Sequence, residues 1–128
     1  DKLKKINEKI KIVKSLPFFK YVDSIEQNEI AKHIKYDYYY QSTILIEDGT
    51  YNYQLFYVCE GKVIKKKGDY EEEIIEKGNY FGFLSLFVNI PSNYTFMTDE
   101  KSKTVIASLK FNEVKLFENK RYLSYLFF

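Results

Sequence analysis

The fold turns on the stretch Tyr80-Phe81-Gly82-Phe83-Leu84-Ser85-Leu86-Phe87-Val88-Asn89-Ile90-Pro91-Ser92-Asn93-Tyr94-Thr95. A glycine at a strand end is followed by a short apolar run, an Asn-x-Pro break and a return to strand. Gly82 supplies a tight backbone approach and Pro91 stops a helical turn, so the spacing predicts one short helix over residues 83–88 inserted into a β-structure. A helix start beside a glycine gathers free backbone N–H groups, which is how anions are cradled. The stretch therefore has the shape of an anion pocket.

The segments around it read as β-structure. Tyr38-Tyr39-Tyr40, Ile44-Leu45-Ile46, Leu55-Phe56-Tyr57-Val58 and Val63-Ile64 are short β-prone runs separated by Glu47-Asp48-Gly49, Tyr51-Asn52 and Glu60-Gly61. Strands this short, broken at close intervals, predict a small antiparallel barrel or sandwich. Lys65-Lys66-Lys67 and Glu71-Glu72-Glu73 flank Gly68-Asp69, a two-residue turn that sets opposite charges face to face. Because such charges cancel, the reading is a solvated hairpin. Residues 94–97 and 103–109 are two further strands, joined by the turn Asp99-Glu100-Lys101.

Helices are expected at both ends. Leu3, Ile6, Ile10 and Val13 recur at spacings of three and four and place one apolar stripe on a helix over residues 1–16. Pro17 stops it, and Phe18-Phe19 form an apolar plug in a short turn. Ser24-Ile25-Glu26-Gln27 fits a capping box for a second helix whose buried side is Ile25, Ile30, Ala31 and Ile34. Phe111, Val114 and Phe117, then Tyr122, Leu123, Leu126 and Phe127, recur at near-helical spacing. The terminal Leu126-Phe127-Phe128 needs an apolar cover. One flank left open predicts that the first helix packs against residues 111–117.

Composition bounds the function. At 128 residues the chain is read as one domain with a real core, and 45% hydrophobic with 30% charged residues is a globular balance. A formal charge of +2 with Lys and Glu interspersed excludes a nucleic-acid stripe. The single cysteine, Cys59, points to a reducing compartment, and no apolar run approaches the ~18 residues of a membrane span. A cytoplasmic domain without membrane insertion is expected. The start at Asp1, with Met97 as the one methionine, marks it as a piece of something longer.

Catalytic chemistry finds no foothold. There is no Gly-x-Ser-x-Gly elbow and no phosphate loop ending in Gly-Lys-Ser/Thr. Glu71 and Glu72 are strand neighbours on opposite faces, unsuited to shared acid–base work. One histidine, His33, cannot build a metal site and sits where a helix C-terminus favours a cation. The chain reads as a non-enzyme with no metal and no cofactor.

A helix, a capped second helix, a β-barrel with a glycine-led helical insert and C-terminal helices together resemble the cyclic nucleotide-binding domain family from about Leu3 to about Phe117. Leu16-Pro17-Phe18-Phe19 looks like the family's turn between its first helices, and Gly49 and Gly61 sit at its two spaced barrel glycines. Leu55-Phe56-Tyr57-Val58 stands in place of its Phe-Tyr-Ile-Ile strand. The helical leader is more similar to the eukaryotic kinase regulatory subunits than to bacterial gene regulators. The resemblance implies an α+β fold: a jelly-roll-like antiparallel barrel of about eight strands over residues 36–109, helices over 1–35 and 110–128, and a short helix inside the barrel.

The likeness is closest at the family's phosphate-binding cassette, which Phe81-Gly82, Leu84, Leu86, Asn89, Pro91 and Thr95 keep. By family position the ligand-pocket candidates are Gly82, Phe83, Leu84, Ser85, Ser92, Asn93, Tyr94 and Thr95. Here the family glutamate that holds the ribose falls on Phe83, and the arginine that pairs with the cyclic phosphate falls on Ser92. The small alanine before the final threonine falls on Tyr94, and the alanine of the helical turn on Ser85. Removing one partner of a buried charge-assisted bond costs about 2–5 kcal/mol, so Ser92 alone implies binding weaker by tens- to thousands-fold. No arginine lies within the cassette; Arg121 is beyond the barrel, and Lys101 and Lys103 are remote candidates. The expected function is a regulatory domain in cAMP or cGMP signalling that binds cyclic nucleotide poorly and acts on other domains or a signalling partner. A working cAMP or cGMP sensor with a non-standard pocket, or a module for another ligand, are the alternatives.

Overall fold

The computed structural model describes residues 2–118, with side chains from residue 4 onward. Their contacts form two compact units: the residues through Ile34 with those from Asn112, and Lys35–Phe111.

In the first unit helix α1, Lys2–Ser15, packs on helix α2, Ser24–Lys32. Between them Pro17–Phe19 make a tight 3-10 turn, with Pro17 at a position where its missing N–H has no cost. The buried side of α1 is Ile12 and Val13, continued by Leu16 and Phe19, while Ile6 and Ile10 are half-buried and the side chain of Leu3 lies outside the described residues. Capping of α2 differs from the expectation: Asp23, not Ser24, is the cap, its Oδ1 accepting the Glu26 N–H at 2.8 Å. Gln27 is no part of a capping box; it is buried with Ile30, Ala31 and Ile34 at spacings of three and four, and that stripe leaves Ile25 exposed at 75%. His33 caps the C-terminus of α2, with Nδ1 3.8 Å from Glu113 Oε2.

The expected C-terminal helix takes the form of two 3-10 turns within the described residues, Phe111–Glu113 and Lys115–Glu118. Val114 and Phe117, three apart, share a buried side at three residues per turn. The Phe117 ring stacks on Phe19 with centroids 5.5 Å apart. The readings made on Arg121, Tyr122, Leu123 and Leu126-Phe127-Phe128 lie outside the described residues.

The second unit holds eight strands: β1 Lys35–Tyr39, β2 Ile44–Ile46, β3 Gln54–Glu60, β4 Lys62–Lys67, β5 Tyr70–Glu76, β6 Tyr80–Phe81, β7 Thr95–Thr98 and β8 Thr104–Lys110. They form two antiparallel four-stranded sheets in the orders β1-β8-β3-β6 and β2-β7-β4-β5. This is a jelly roll of two sheets, and the expected barrel is not closed by strand pairing among the described residues. The core holds Ile46, Phe56, Val58, Val63, Ile75, Phe81 and Ile106. Three rings form a column through it, Phe56 on Phe81 at 5.1 Å and Phe81 on Phe96 at 4.9 Å, each pair nearly parallel. Phe56 and Phe81 belong to one sheet and Phe96 to the other, so the column spans the sandwich.

The β4–β5 hairpin turns at Gly68-Asp69 as its sequence requires. A bulge beside Lys65 pairs Lys65 with Glu73 and Lys66 with Glu71, leaving Glu72 as the extra residue. The short helix over residues 83–88 is present as a 3-10 turn, Phe83–Leu86.

Candidate functional site

The sequence between β6 and β7 builds one wall of a cavity of about 440 Å³ inside the sandwich unit. Gly82 turns the chain there with φ 88°. Its α-carbon is so close to β3 that a Cβ would lie 2.7 Å from the Gln54 carbonyl oxygen and 2.9 Å from Asn52 Nδ2. Asn52 fixes this corner. Its Nδ2 donates to the Gln54 carbonyl at 2.7 Å and to the Gly82 carbonyl at 3.0 Å, and its Oδ1 accepts the Gln54 N–H at 3.1 Å. Ser85 Oγ donates to the Gly82 carbonyl at 2.9 Å, closing the 3-10 turn on itself.

Of the eight residues marked by family position, Gly82, Phe83, Leu84, Ser85, Ser92, Asn93 and Tyr94 line the cavity. Thr95 does not, and its Oγ1 accepts the Asp48 N–H at 3.0 Å. Phe83 meets Tyr80 edge to face at 5.4 Å. The Ser92 hydroxyl donates to the Tyr94 carbonyl at 2.6 Å, and its backbone is tied to the preceding turn, Ser92 N to Thr50 O at 2.8 Å and Gly49 N to Ser92 O at 2.7 Å. Lys67 Nζ holds the same two loops together, donating to Asp48 Oδ2 at 3.1 Å and the Asn93 carbonyl at 2.9 Å.

The charged groups of the cavity come from the hairpin. Lys65, read from sequence as part of a solvated hairpin, has a side chain only 24% exposed. Its Nζ sits over the Tyr94 ring, 4.2 Å from the centroid, and 3.9 Å from Glu73 Oε2. Lys65 is the one cation lining the cavity among the described residues, and Glu73 is its register partner across β4 and β5. The period-two rule could have found it, since Lys65 shares a strand face with fully buried Val63. Lys101 and Lys103 do not line the cavity; Lys103 Nζ stands 5.6 Å from the Tyr38 ring.

Apart from Asn52, Asn79, Ser85, Ser92 and Asn93, the rest of the lining is mostly apolar and aromatic. Tyr80, Phe81, Phe83, Tyr94 and Phe96 bring five rings to it. Ile74, Leu84, Val88 and Ile90 also line it, with 40–56% of their surface exposed. Among the described residues no group of three His, Cys, Asp or Glu side chains is placed to hold a metal ion, and no helix is long and apolar enough to cross a membrane.

No protein-family model and no curated protein matches the sequence. Solved structures do. The regulatory domain of Toxoplasma gondii protein kinase A with cAMP superposes with a TM-score of 0.77 at 17% identity, over 96% of this chain and 49% of that one. The regulatory subunit of a cAMP-independent protein kinase A from Trypanosoma cruzi, bound to guanosine, gives 0.77 at 14% identity over 86% and 39%. The corresponding cAMP-independent subunit from Trypanosoma brucei gives 0.70 at 19% identity over 96% and 49%. The chain thus spans half or less of the length of these structures. Its fold is that of the cyclic nucleotide-binding domains of kinase regulatory subunits.

Proposed function

We propose that this chain is a cytoplasmic regulatory domain of a signalling protein, one that holds neither cAMP nor cGMP tightly and acts through contacts with other domains or a partner protein. The observation that carries the reading is the charge of the cavity wall. A cyclic phosphate brings a full negative charge, and taking it out of water without a dedicated cation costs more than a few backbone N–H bonds return. Lys65 is balanced by Glu73, the Ser92 hydroxyl is committed to its own turn, and Phe83 presents a ring where the ribose would need an acceptor. Relatives of the same fold include one solved with cAMP and two described as cAMP-independent, so the fold itself accommodates either behaviour.

A second reading, a cyclic nucleotide sensor with a non-standard pocket, is favoured by Lys65 itself, the cation such a sensor would use. Calorimetric titration separates the two. The wild-type chain should give no heat with micromolar cAMP or cGMP, and Phe83→Glu combined with Ser92→Arg, with Tyr94→Ala to make room, should gain binding. Sub-micromolar binding by wild type, lost in Lys65→Gln, would reverse the ranking.

A further inference from the structure

We infer that this chain associates with a second copy of itself through the outer face of the β2-β7-β4-β5 sheet, and that Lys62 and Asp99 set the arrangement. The inference goes beyond the preceding reading and does not depend on what the cavity binds. A sheet with its core on one side is expected to carry polar side chains on the other. Val63 and Ile75 belong to the core, so Ile64 and Ile74, next to them in the strands, face outward. Register extends the row: Ile64 stands opposite Ile74 on β5 and Met97 on β7, and Met97 stands opposite Ile44 on β2. Residues directly opposite share a face, so Ile44, Met97, Ile64 and Ile74 form one apolar row across all four strands. Ile44 and Ile74 at its ends are 52% and 51% exposed, and Met97 and Ile64 between them are half-buried. Ile74 stands on an edge strand and so meets the cavity as well. A continuous apolar row on the solvent side of a sheet marks a contact surface.

The charged rows on either side of it identify the occupant. On one side Lys62 is opposite Glu76, its Nζ 3.9 Å from Oε1. Asp99 continues that row, because it follows buried Thr98 and its N–H bonds the Lys62 carbonyl at 3.1 Å. On the other side lie Thr95, Lys66 and Glu71. A second copy closes on this face about a two-fold axis, so every contact occurs twice. With the axis parallel to the strands, midway between β7 and β4, Ile64 lies over Met97 and Ile74 over Ile44. Each Lys62 then faces the Asp99 of the other copy, and the two sheets pack aligned. The like pair of this arrangement, Glu71 near Glu47, falls at a corner beyond the end of β2 and beside Lys66. With the axis turned across the strands, Lys62 would face Lys66 and Glu76 would face Glu71, like against like. The apolar row supplies the attraction, and the charges choose between the two orientations.

Four strands at about 4.8 Å and three rows at about 6.7 Å make a face of roughly 400 Å² per copy, at the small end of specific contacts. The expected dissociation constant is therefore about 0.1–1 mM, an affinity that suits copies tethered at millimolar effective concentration. Sedimentation velocity of the chain from about 20 µM to about 1 mM tests this, with the melting temperature at the lower concentration reporting the fold of each variant. Ile64→Thr keeps a β-branched side chain and should weaken association by about tenfold or more. Lys62→Asp and Asp99→Lys should each weaken it by about threefold to tenfold, since like charges then face each other twice. An equimolar mixture of these two variants should recover association to within about threefold of wild type, because the mixed dimer again sets opposite charges across the contact. No coupling within a single copy produces that recovery. A wild-type chain that stays monomeric at about 1 mM overturns the inference, as does a folded Ile64→Thr that associates like wild type. A mixture that associates no better than its components overturns it as well.

Discussion

At Gly82 two independent demands fall on one residue. Its φ of 88° disfavours any side chain by about 1–2 kcal/mol, and a Cβ would meet the Gln54 carbonyl oxygen at 2.7 Å, a backbone atom that cannot swing aside. Gly49 shares the same φ but has open space around it. Gly49→Ala should therefore cost only the conformational part, about 1–2 kcal/mol, and Gly82→Ala should exceed it by about 1 kcal/mol or more in urea unfolding. The need for glycine at 82 was legible because a lone glycine between a strand and an apolar turn has few other uses. The role of Asn52 was not, because its partner Gly82 lies thirty residues away and no local pattern couples them.

The elements show where local pattern and tertiary packing part company. Asp23…Glu26 and Ser24…Gln27 both satisfy the capping spacing; Asp23 is the cap, and Gln27 lies instead on the buried side of α2. Asp23→Ala should then destabilise by about 1 kcal/mol, with Ser24→Ala close to neutral, as measured by chemical denaturation. On α1, Val13 of the expected stripe is buried while Ile6 and Ile10 are half-buried, and burial is concentrated toward the C-terminal end, where Ile12 outside that stripe is buried as well. Val13→Asp places a charge at a fully buried site and should cost about 3 kcal/mol or more, while Ile10→Asp at a half-buried site should cost about 1 kcal/mol. The hairpin was legible as a hairpin from Gly68-Asp69. That Lys65 turns inward was masked by its two lysine neighbours, since a run of like charges hides the alternation that strand geometry imposes.

Across the whole sandwich the strand runs were readable one by one, because each is a short β-prone segment between turn residues. Their pairing was not, since β1 lies beside β8 and β2 beside β7, neighbours far apart in the chain. The same long-range assembly brings Phe81 and Phe96 together from opposite sheets, and both rings also line the cavity. Phe81 and Phe96 thus both line the cavity and stack across the two sheets. Any occupant that rests on these two rings opposes their separation, and with it the breathing of the sandwich that exposes amide protons to solvent. Deuterium uptake should therefore slow on β3 and β7 together when the cavity is filled, although neither Phe56 nor Val58 lines it. Phe96→Ala should uncouple the pair, leaving protection on β3 largely independent of occupancy, so that a molecule in the cavity is sensed as a change in the stiffness of the sandwich and not as a change in its shape.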